Sequence, residues 1–325
     1  MWSRSGCDNL RRAHAGDAMT MRDRARAEFA RLPIGTRRRI LHRLGRYAPW
    51  EPEFDFTPPP PGPDEQAGPP DFVGIGVQKA GTTWWYELMT AHPGISSHPG
   101  VHKERHFLDR FGAQPMHDAD IEQYHGWFPR RSPALAGEWT PDYFSYPWVP
   151  RLLKRAAPDA RLLLLLRDPV ERFRSGLAHQ RRAGLPVDGE AIAGAVQRGF
   201  YDRALAGWLD EFDADRLLVL QYERCVADPS GQLEATFRHL GLDAAGPHAV
   251  ERPVHDRSDR GPELSDQVRQ RLVALYADDV AALATRLGDL DLARWPNFAY
   301  LAAGGTPPGP GSNSPHSPNS PTRRP

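Results

Sequence analysis

Short apolar runs alternate with longer segments of helical periodicity through the middle of the chain. Apolar runs predict buried strands at residues 72–77, 161–166 and 217–221, and a further short strand is predicted at 106–108. The periodic segments predict helices at residues 82–92, 148–157, 169–182, 191–198, 201–211, 230–240 and 265–287, the last capped by Ser265. Leu-rich strands separated by helices indicate an α/β fold in three layers, with a central parallel sheet flanked by helices.

Both ends of the chain depart from this alternation. Residues 21–47 are rich in Arg and Ala, which predicts one or two short basic helices, either solvated or docked on a membrane surface or a partner. Seven prolines between positions 58 and 70 predict an extended linker. The last residues are mostly Pro, Ser, Asn and Gly, which predicts disorder. We therefore expect an N-terminal segment with linker at 1–70, one domain at 71–303 and a tail at 304–325.

Composition narrows the class of protein. The chain of 325 residues has 41 basic and 41 acidic side chains, so its overall charge gives no reason to expect nucleic acid as a partner. Its only cysteines are Cys7 and Cys225, too few for a disulfide framework or a cysteine-based zinc site. No apolar run is long enough to cross a bilayer and no apolar signal segment opens the chain. We expect a cytoplasmic enzyme without a metal, and its oligomeric state stays open.

The most informative stretch is residues 72–84, where a strand leads through small residues directly into a helix. Backbone N–H groups at such a helix start bind phosphate, and Gly81 allows close approach. Thr82 and Thr83 add hydroxyl donors, and Lys79 adds a positive charge. Because Lys79 precedes Gly81, the stretch is neither a Walker A loop nor a dinucleotide fingerprint. An ordinary strand–turn–helix with a solvated lysine is the alternative.

A second candidate phosphate site follows the Leu-rich strand. Arg167 stands where that strand ends, which is the edge at which open α/β sheets bind ligands. Its guanidinium can bind a phosphate through two hydrogen bonds. Asp168 can cap the next helix, on which Arg172 and Ser175 share a face. The alternative is a surface arginine that pairs with Asp168 or Glu171.

These two motifs resemble those of PAPS-dependent sulfotransferases, in particular the heparan sulfate sulfotransferases and their bacterial relatives. Residues 77–83 resemble the loop that binds the 5′-phosphosulfate, and residues 167–175 resemble the 3′-phosphate motif R-D-P-x-x-R-x-x-S. The resemblance spans about residues 71–300. It implies the P-loop-like sulfotransferase fold, PAPS (3′-phosphoadenosine 5′-phosphosulfate) as donor and PAP as product. It implies donor binding by Lys79, Ala80, Gly81, Thr82, Thr83, Arg167, Arg172, Ser175, Tyr201, Arg257 and Arg260.

The resemblance extends to catalytic residues. Residues 103–109 resemble the E-x-H-F stretch of the family, which implies Glu104 as the base that accepts the proton of the acceptor and His106 as second candidate. Lys79 then stabilises the departing phosphate oxygen. In a strand, Glu104 and His106 share a face. An exposed charge cluster is the alternative interpretation of this segment.

One position departs from the family pattern. Residues 137–144 resemble the stretch E-K-[ST]-P-x-Y that lines the active site, but Trp139 stands where the family has Lys. Lys103 is our candidate for the missing charge. The acceptor stays open among a saccharide, a lipid or glycolipid and a small metabolite, although three aromatic residues suggest stacking on sugar: Tyr124, Trp127 and Phe128.

Three other classes of function stay open at the level of sequence. A relative that binds PAP without turnover is compatible with Trp139. A P-loop kinase would need a lysine after the glycine of the loop, which this chain lacks. A pure interaction module built on the basic N-terminal segment predicts no nucleotide binding. A sulfotransferase is the function that both phosphate motifs favour.

Overall fold

The computed structural model describes residues 57–96, 103–243 and 263–305, together with seven single positions between 28 and 44. The chain divides into two compact units, one formed by residues 1–48 and 183–185 and the other by the rest. The first unit is described only at those single positions and at 183–185, so the account below concerns the second. Arg257, Arg260, the tail from residue 306 and most of the predicted basic helices lie outside the described residues.

Within the described part of the chain, four parallel strands form one sheet: β1 (Phe72–Gly76), β2 (Gly137–Trp139), β3 (Arg161–Leu166) and β4 (Leu217–Gln221). Their order is β2-β1-β3-β4. The chain passes from β1 to β2 on one side and then crosses to β3 on the other. The direction of winding therefore switches between β1 and β3, and ligands of open α/β sheets bind at such a switch point, beyond the carboxyl ends of the strands.

Helices cover this sheet and continue the alternation that the sequence predicts. The second half of β3 consists of leucines with no exposed surface, as expected for a strand covered on both faces. The helices are α1 (Thr82–Thr90), α2 (Asp118–His125), α3 (Val149–Ala156), α4 (Pro169–Arg182), α5 (Gly189–Gln197), α6 (Tyr201–Leu209), α7 (Tyr222–Ala227), α8 (Pro229–Leu240), α9 (Asp266–Leu287) and α10 (Ala299–Ala302). The prediction of an α/β fold with a central parallel sheet flanked by helices is confirmed.

Two local differences from the sequence prediction matter for the site. The prediction of a strand at 106–108 is wrong, because His106 has φ 49°, a left-handed backbone conformation that does not occur within a regular strand. The second strand of the sheet in chain order is instead Gly137–Trp139, which pairs with β1.

Ser265 caps α9 as predicted, since its hydroxyl oxygen accepts a hydrogen bond from the Val268 N–H. In the part of the chain that the structure describes, no helix is long and apolar enough to span a bilayer.

Candidate active site

The loop between β1 and α1 has a left-handed backbone at two positions. Lys79 has φ 71° and Gly81 has φ 89°. A Cβ on Gly81 would lie 2.8 Å from the ring of Tyr222, so this position requires glycine for space as well as for conformation. Among the described residues no side chain caps α1. A helix N-terminus preceded by such a loop is a suitable site for a phosphate.

The other predicted loop residues reach the site in different ways. Ala80 is fully buried, so it contributes only its backbone. Thr82 is 5% exposed and Thr83 is exposed, which leaves the second hydroxyl more accessible to a ligand. The resulting cradle consists of backbone and hydroxyl groups with one lysine beside them.

The charge of Lys79 lies in an environment that favours a bound anion. Its pKa is lowered to about 8, first by burial and then by the positive charge of Arg182, while the carboxylate of Glu104 opposes the shift. Lys103 also contributes repulsion. Because partly buried cations that repel one another are stabilised by an anion between them, this cluster is suited to phosphate or sulfate.

Arg167 joins the second phosphate motif to the first. Its Nη1 donates a hydrogen bond to the carbonyl oxygen of Lys79 at 3.1 Å. Its guanidinium carbon lies 4.8 Å from the centre of the Tyr222 ring, within the range of a cation–π contact. The Tyr201 hydroxyl donates to the Arg167 carbonyl at 2.9 Å. The two motifs therefore meet at the switch point between β1 and β3.

Asp168 fixes the start of α4 directly behind Arg167. One carboxylate oxygen accepts hydrogen bonds from the N–H groups of Val170 at 2.9 Å and Glu171 at 3.3 Å, which caps the helix. The other accepts from the backbone and side-chain nitrogens of Asn297 at 3.1 and 2.9 Å. The Asp168 side chain is fully buried, and burial raises its pKa. The predicted cap is confirmed, and its role is to position Arg167.

Three further residues predicted to bind the sulfuryl donor differ in their exposure to solvent. Ser175 is partly exposed on α4. Arg172 is only 1% exposed and donates a hydrogen bond to the Ala195 carbonyl, so in this conformation it connects α4 to α5. It does not face the space beyond the carboxyl ends of β1 and β3, which we call the cleft. Tyr201 is fully buried, and its hydroxyl contacts the site through the bond to the Arg167 carbonyl. We therefore expect Arg172 and Tyr201 to act by positioning.

Glu104, His106 and Asp109 form a hydrogen-bonded chain. His106 Nδ1 lies 2.7 Å from Asp109 Oδ2, and its Nε2 lies 3.3 Å from Glu104 Oε2. Burial lowers the pKa of His106, but the bonds to Asp109 and Glu104 outweigh it and raise the pKa to about 10. His106 is therefore an imidazolium at neutral pH. This protonation state favours Glu104 over His106 as the proton acceptor, and His106 Nε2 contacts the Glu104 carboxylate.

Glu104 is ionised in this arrangement. Burial raises its pKa, but hydrogen bonds from His106 and Lys103 lower the net pKa to about 2. Lys103 Nζ lies 2.5 Å from Glu104 Oε1, and the Lys103 side chain is 9% exposed. Because Lys103 also repels Lys79, the second cation anticipated from the sequence lies at the cleft.

Glu138 and Trp139 lie beneath the cleft. Glu138 has no exposed surface and accepts hydrogen bonds from Tyr124, Tyr143 and Thr140 hydroxyls and from the Arg105 N–H. This network supports the segment that carries Glu104. The ring of Trp139 packs on β1, where a Cβ on Gly74 would lie 2.0 Å from it.

One side chain that the sequence did not single out, that of Asp142, also reaches this region. Asp142 follows Pro141 on a 3₁₀ turn, Pro141–Ser145, and its charge acts on Lys79, Lys103 and His106. The motif at residues 137–144 predicted only that Asp142 lines the site. It did not predict which side chains Asp142 contacts, because those side chains come from distant segments of the chain.

Tyr124 and Phe128, considered for sugar stacking, have at most 1% exposure and belong to the core.

Comparison with known proteins gives consistent results. The sequence model of the sulfotransferase domain matches residues 69–259, more than half of the chain. The chain is 31% identical to mouse heparan sulfate glucosamine 3-O-sulfotransferase 6 over 53% of this chain and 52% of that protein. It is 27% identical to the bovine bifunctional heparan sulfate N-deacetylase/N-sulfotransferase 2, over 53% of this chain and 22% of that protein.

A solved structure shows the same fold. The sulfotransferase from Alicyclobacillus acidocaldarius superposes with a TM-score of 0.58 at 24% identity, covering 70% of this chain and 98% of its own. The chain spans about half the length of the first 3-O-sulfotransferases that it matches and less of the bifunctional enzymes.

Proposed function

The chain belongs to the sulfotransferase family, and from this premise we propose that it transfers a sulfuryl group from PAPS to a hydroxyl or amino group of an acceptor. The observation that carries the proposal is the hydrogen bond from Arg167 to the Lys79 carbonyl. It joins the residues expected at the 3′-phosphate to the loop expected at the 5′-phosphosulfate. The relatives named for heparan sulfate favour a saccharide as the acceptor.

The donor side of the reaction needs positive charge. When PAPS is bound, it supplies a sulfuryl group whose bond to the 5′-phosphate oxygen breaks as a bond to the acceptor oxygen or nitrogen forms. Lys79, on the loop at the N-terminus of α1, is placed to stabilise the negative charge that develops on that phosphate oxygen. Lys103 supplies a second cation where Trp139 replaces the family's lysine. Positioning and charge account for most of such a transfer.

The acceptor side needs a proton acceptor. Glu104 is ionised at neutral pH, and its pKa of about 2 makes it a weak base. A weak base is sufficient here, because the proton of the acceptor becomes strongly acidic once its oxygen or nitrogen bonds to sulfur. The imidazolium of His106, fixed by Asp109, holds the carboxylate in one orientation. We therefore assign proton acceptance to Glu104 and positioning to His106.

Calorimetry with PAP tests the donor site. We expect wild-type protein to bind PAP more tightly than ADP, which lacks the 3′-phosphate. We expect Lys79→Ala and Arg167→Ala each to weaken PAP binding at least tenfold. Lys154→Ala and Arg216→Ala are matched controls, because Lys154 lies on α3 and Arg216 immediately precedes β4, away from the loops. Equal affinity for PAP and ADP would overturn the proposal.

Turnover tests the transfer itself. Incubation with sulfur-labelled PAPS and a set of glycans, lipids and phenols should label at least one acceptor, and Glu104→Gln should abolish labelling while PAP binding is retained. Tight PAP binding without labelling of any acceptor would instead identify a relative that binds nucleotide but does not transfer.

A further inference from the structure

A polar and aromatic cluster lies beside the reaction centre, and the donor motifs do not use it. It is formed by Asp142, Tyr146, Trp148 and Arg198, and we call it the aromatic subsite. Asp142 lies in the turn Pro141–Ser145 after β2, and Tyr146 directly follows that turn. Trp148 directly precedes α3, and Arg198 directly follows α5. Two separate segments of the chain therefore converge on it.

The carboxylate of Asp142 connects this cluster to the donor loop. Asp142 Oδ2 accepts from Gln78 Nε2 at 3.5 Å, and Gln78 immediately precedes Lys79. Asp142 Oδ1 accepts from Arg198 Nε at 3.3 Å. The Asp142 side chain is 16% exposed and that of Arg198 is 30% exposed, so both groups reach solvent. The negative charge of Asp142 also acts on His106, which is consistent with a position close to the base.

The aromatic part of the cluster is a stacked pair. The rings of Tyr146 and Trp148 have centroids 4.9 Å apart and planes at 18°. Both residues are partly exposed, whereas Tyr124 and Phe128 are buried in the core. The positive charge of Arg198 also acts on the Tyr146 hydroxyl, which places the ring pair next to the polar groups. The cluster therefore offers an apolar face with a carboxylate and a guanidinium at its side.

Such a combination matches the chemistry of a sugar. A pyranose ring has an apolar face that packs on aromatic rings, and its hydroxyls donate to carboxylates and accept from guanidinium groups. Asp142 and Arg198 form an ion pair at 3.3 Å, so the two groups together carry no net charge. Because the positive charge of Arg198 is already matched by Asp142, the subsite suits hydroxyl groups better than the sulfate or uronate groups of a polyanionic acceptor.

We propose that the aromatic subsite binds a neutral sugar ring of the acceptor, next to the hydroxyl that is sulfated. This inference rests on the proposed function and deepens it by naming the class of acceptor. Asp142 and Arg198 recognise hydroxyl groups, and Tyr146 with Trp148 supplies the packing face. The subsite therefore favours uncharged oligosaccharides or glycolipid headgroups over sulfated chains.

An array of neutral and sulfated oligosaccharides, probed with the full chain in the presence of saturating PAP, tests the inference by binding alone. We expect at least one neutral oligosaccharide to bind and its affinity to fall at least tenfold in Asp142→Ala and in Trp148→Ala. Trp148→Phe keeps a ring and should lose less than threefold. Asp142→Lys should shift binding toward sulfated glycans. Asp159→Asn, a highly exposed carboxylate before β3, is the control and should change nothing.

The outcomes separate this inference from the proposed function. The proposal for the aromatic subsite is overturned if only sulfated glycans bind or if no neutral glycan binds. It is also overturned if wild type and Asp142→Ala bind a neutral glycan equally well. Calorimetry with PAP on the same variants reports the donor site independently. If the wild type does not bind PAP, that result would instead count against the sulfotransferase function itself.

Discussion

Replacing His106 by asparagine removes the positive charge that lies between Glu104 and Asp109. Asparagine tolerates the left-handed backbone at this position, where φ is 49°, so the substitution mainly tests the charge. Both carboxylates stay in place without the imidazolium between them. Because partly buried carboxylates are then left beside each other without this cation, we expect the variant to be less stable than the wild type.

The size of this effect follows from the pKa of His106. Its ordinary value is 6.5, and burial lowers it, but the bonds to Asp109 and Glu104 raise it to about 10. A group whose pKa is raised on folding stabilises the native state fully below its unfolded pKa and loses this contribution as the pH rises through its folded pKa. At about 1.36 kcal/mol per pKa unit, the charge contributes about 4 kcal/mol at pH 7 and about 1 kcal/mol at pH 9.

Urea denaturation at pH 7, 8 and 9 measures this directly. The difference in free energy of unfolding between wild type and His106→Asn should shrink by about 1 kcal/mol for each pH unit. His117→Asn, at the exposed N-terminus of α2, is the matched control and should show no such trend. A difference that is the same at pH 7 and pH 9 would show that His106 is neutral, and the assignment of its positioning role would be refuted.

One further condition and three further substitutions have defined outcomes. PAP binding measured by calorimetry should weaken about tenfold between pH 7 and pH 9, because Lys79 loses its proton near pH 8; an unchanged affinity would mean that Lys79 does not bind the phosphate. Gly81→Ala should lower the free energy of unfolding by about 1–2 kcal/mol because of its positive φ. Gly176→Ala, inside α4 with nothing within 4 Å of the added methyl, should raise it by up to about 1 kcal/mol; equal effects in thermal melting would contradict the strain at Gly81. Trp139→Lys should cost about 3–5 kcal/mol without raising turnover, because the ring it removes is fully buried; a stable, faster variant would contradict this packing.

The sequence predicted those elements whose pattern is local. The bounds of β3 and α4 agree with prediction, since a run of leucines is followed by Asp168 and Pro169, which end one element and begin the next. The strand Gly137–Trp139 has three residues and no apolar run, so its pairing with β1 has no local signal. Helix α2 carries only two strongly apolar side chains, Ile121 and Tyr124, which is too few for a recognisable periodicity.

Proximity of Glu104 and His106 was predicted for the wrong reason. A strand would have placed both side chains on one face, but the backbone bends through a left-handed conformation at His106 instead. The same two side chains meet all the same, because the hydrogen bonds to Glu104 and Asp109 select that geometry. The chemistry of the motif was therefore readable from the sequence, and its backbone was not.

Burial explains the remaining differences. Arg172 occupies a motif position at which the sequence suggests contact with phosphate, yet 1% of it is exposed and it binds the Ala195 carbonyl. The cluster around Asp142 was missed because Gln78 and Arg198 are 64 and 56 residues away in the chain. No pattern within one segment carries that information.

The contact between Asp168 and Asn297 has a practical consequence for protein production. The family's sequence model ends at residue 259, but Asn297 supplies two of the hydrogen bonds that satisfy the buried Asp168 carboxylate. A recombinant fragment trimmed to the matched residues would leave that oxygen in an apolar interior without these donors, at the position that holds Arg167. The minimal folding unit therefore extends at least to the segment that carries Asn297, some forty residues beyond the boundary that homology would suggest.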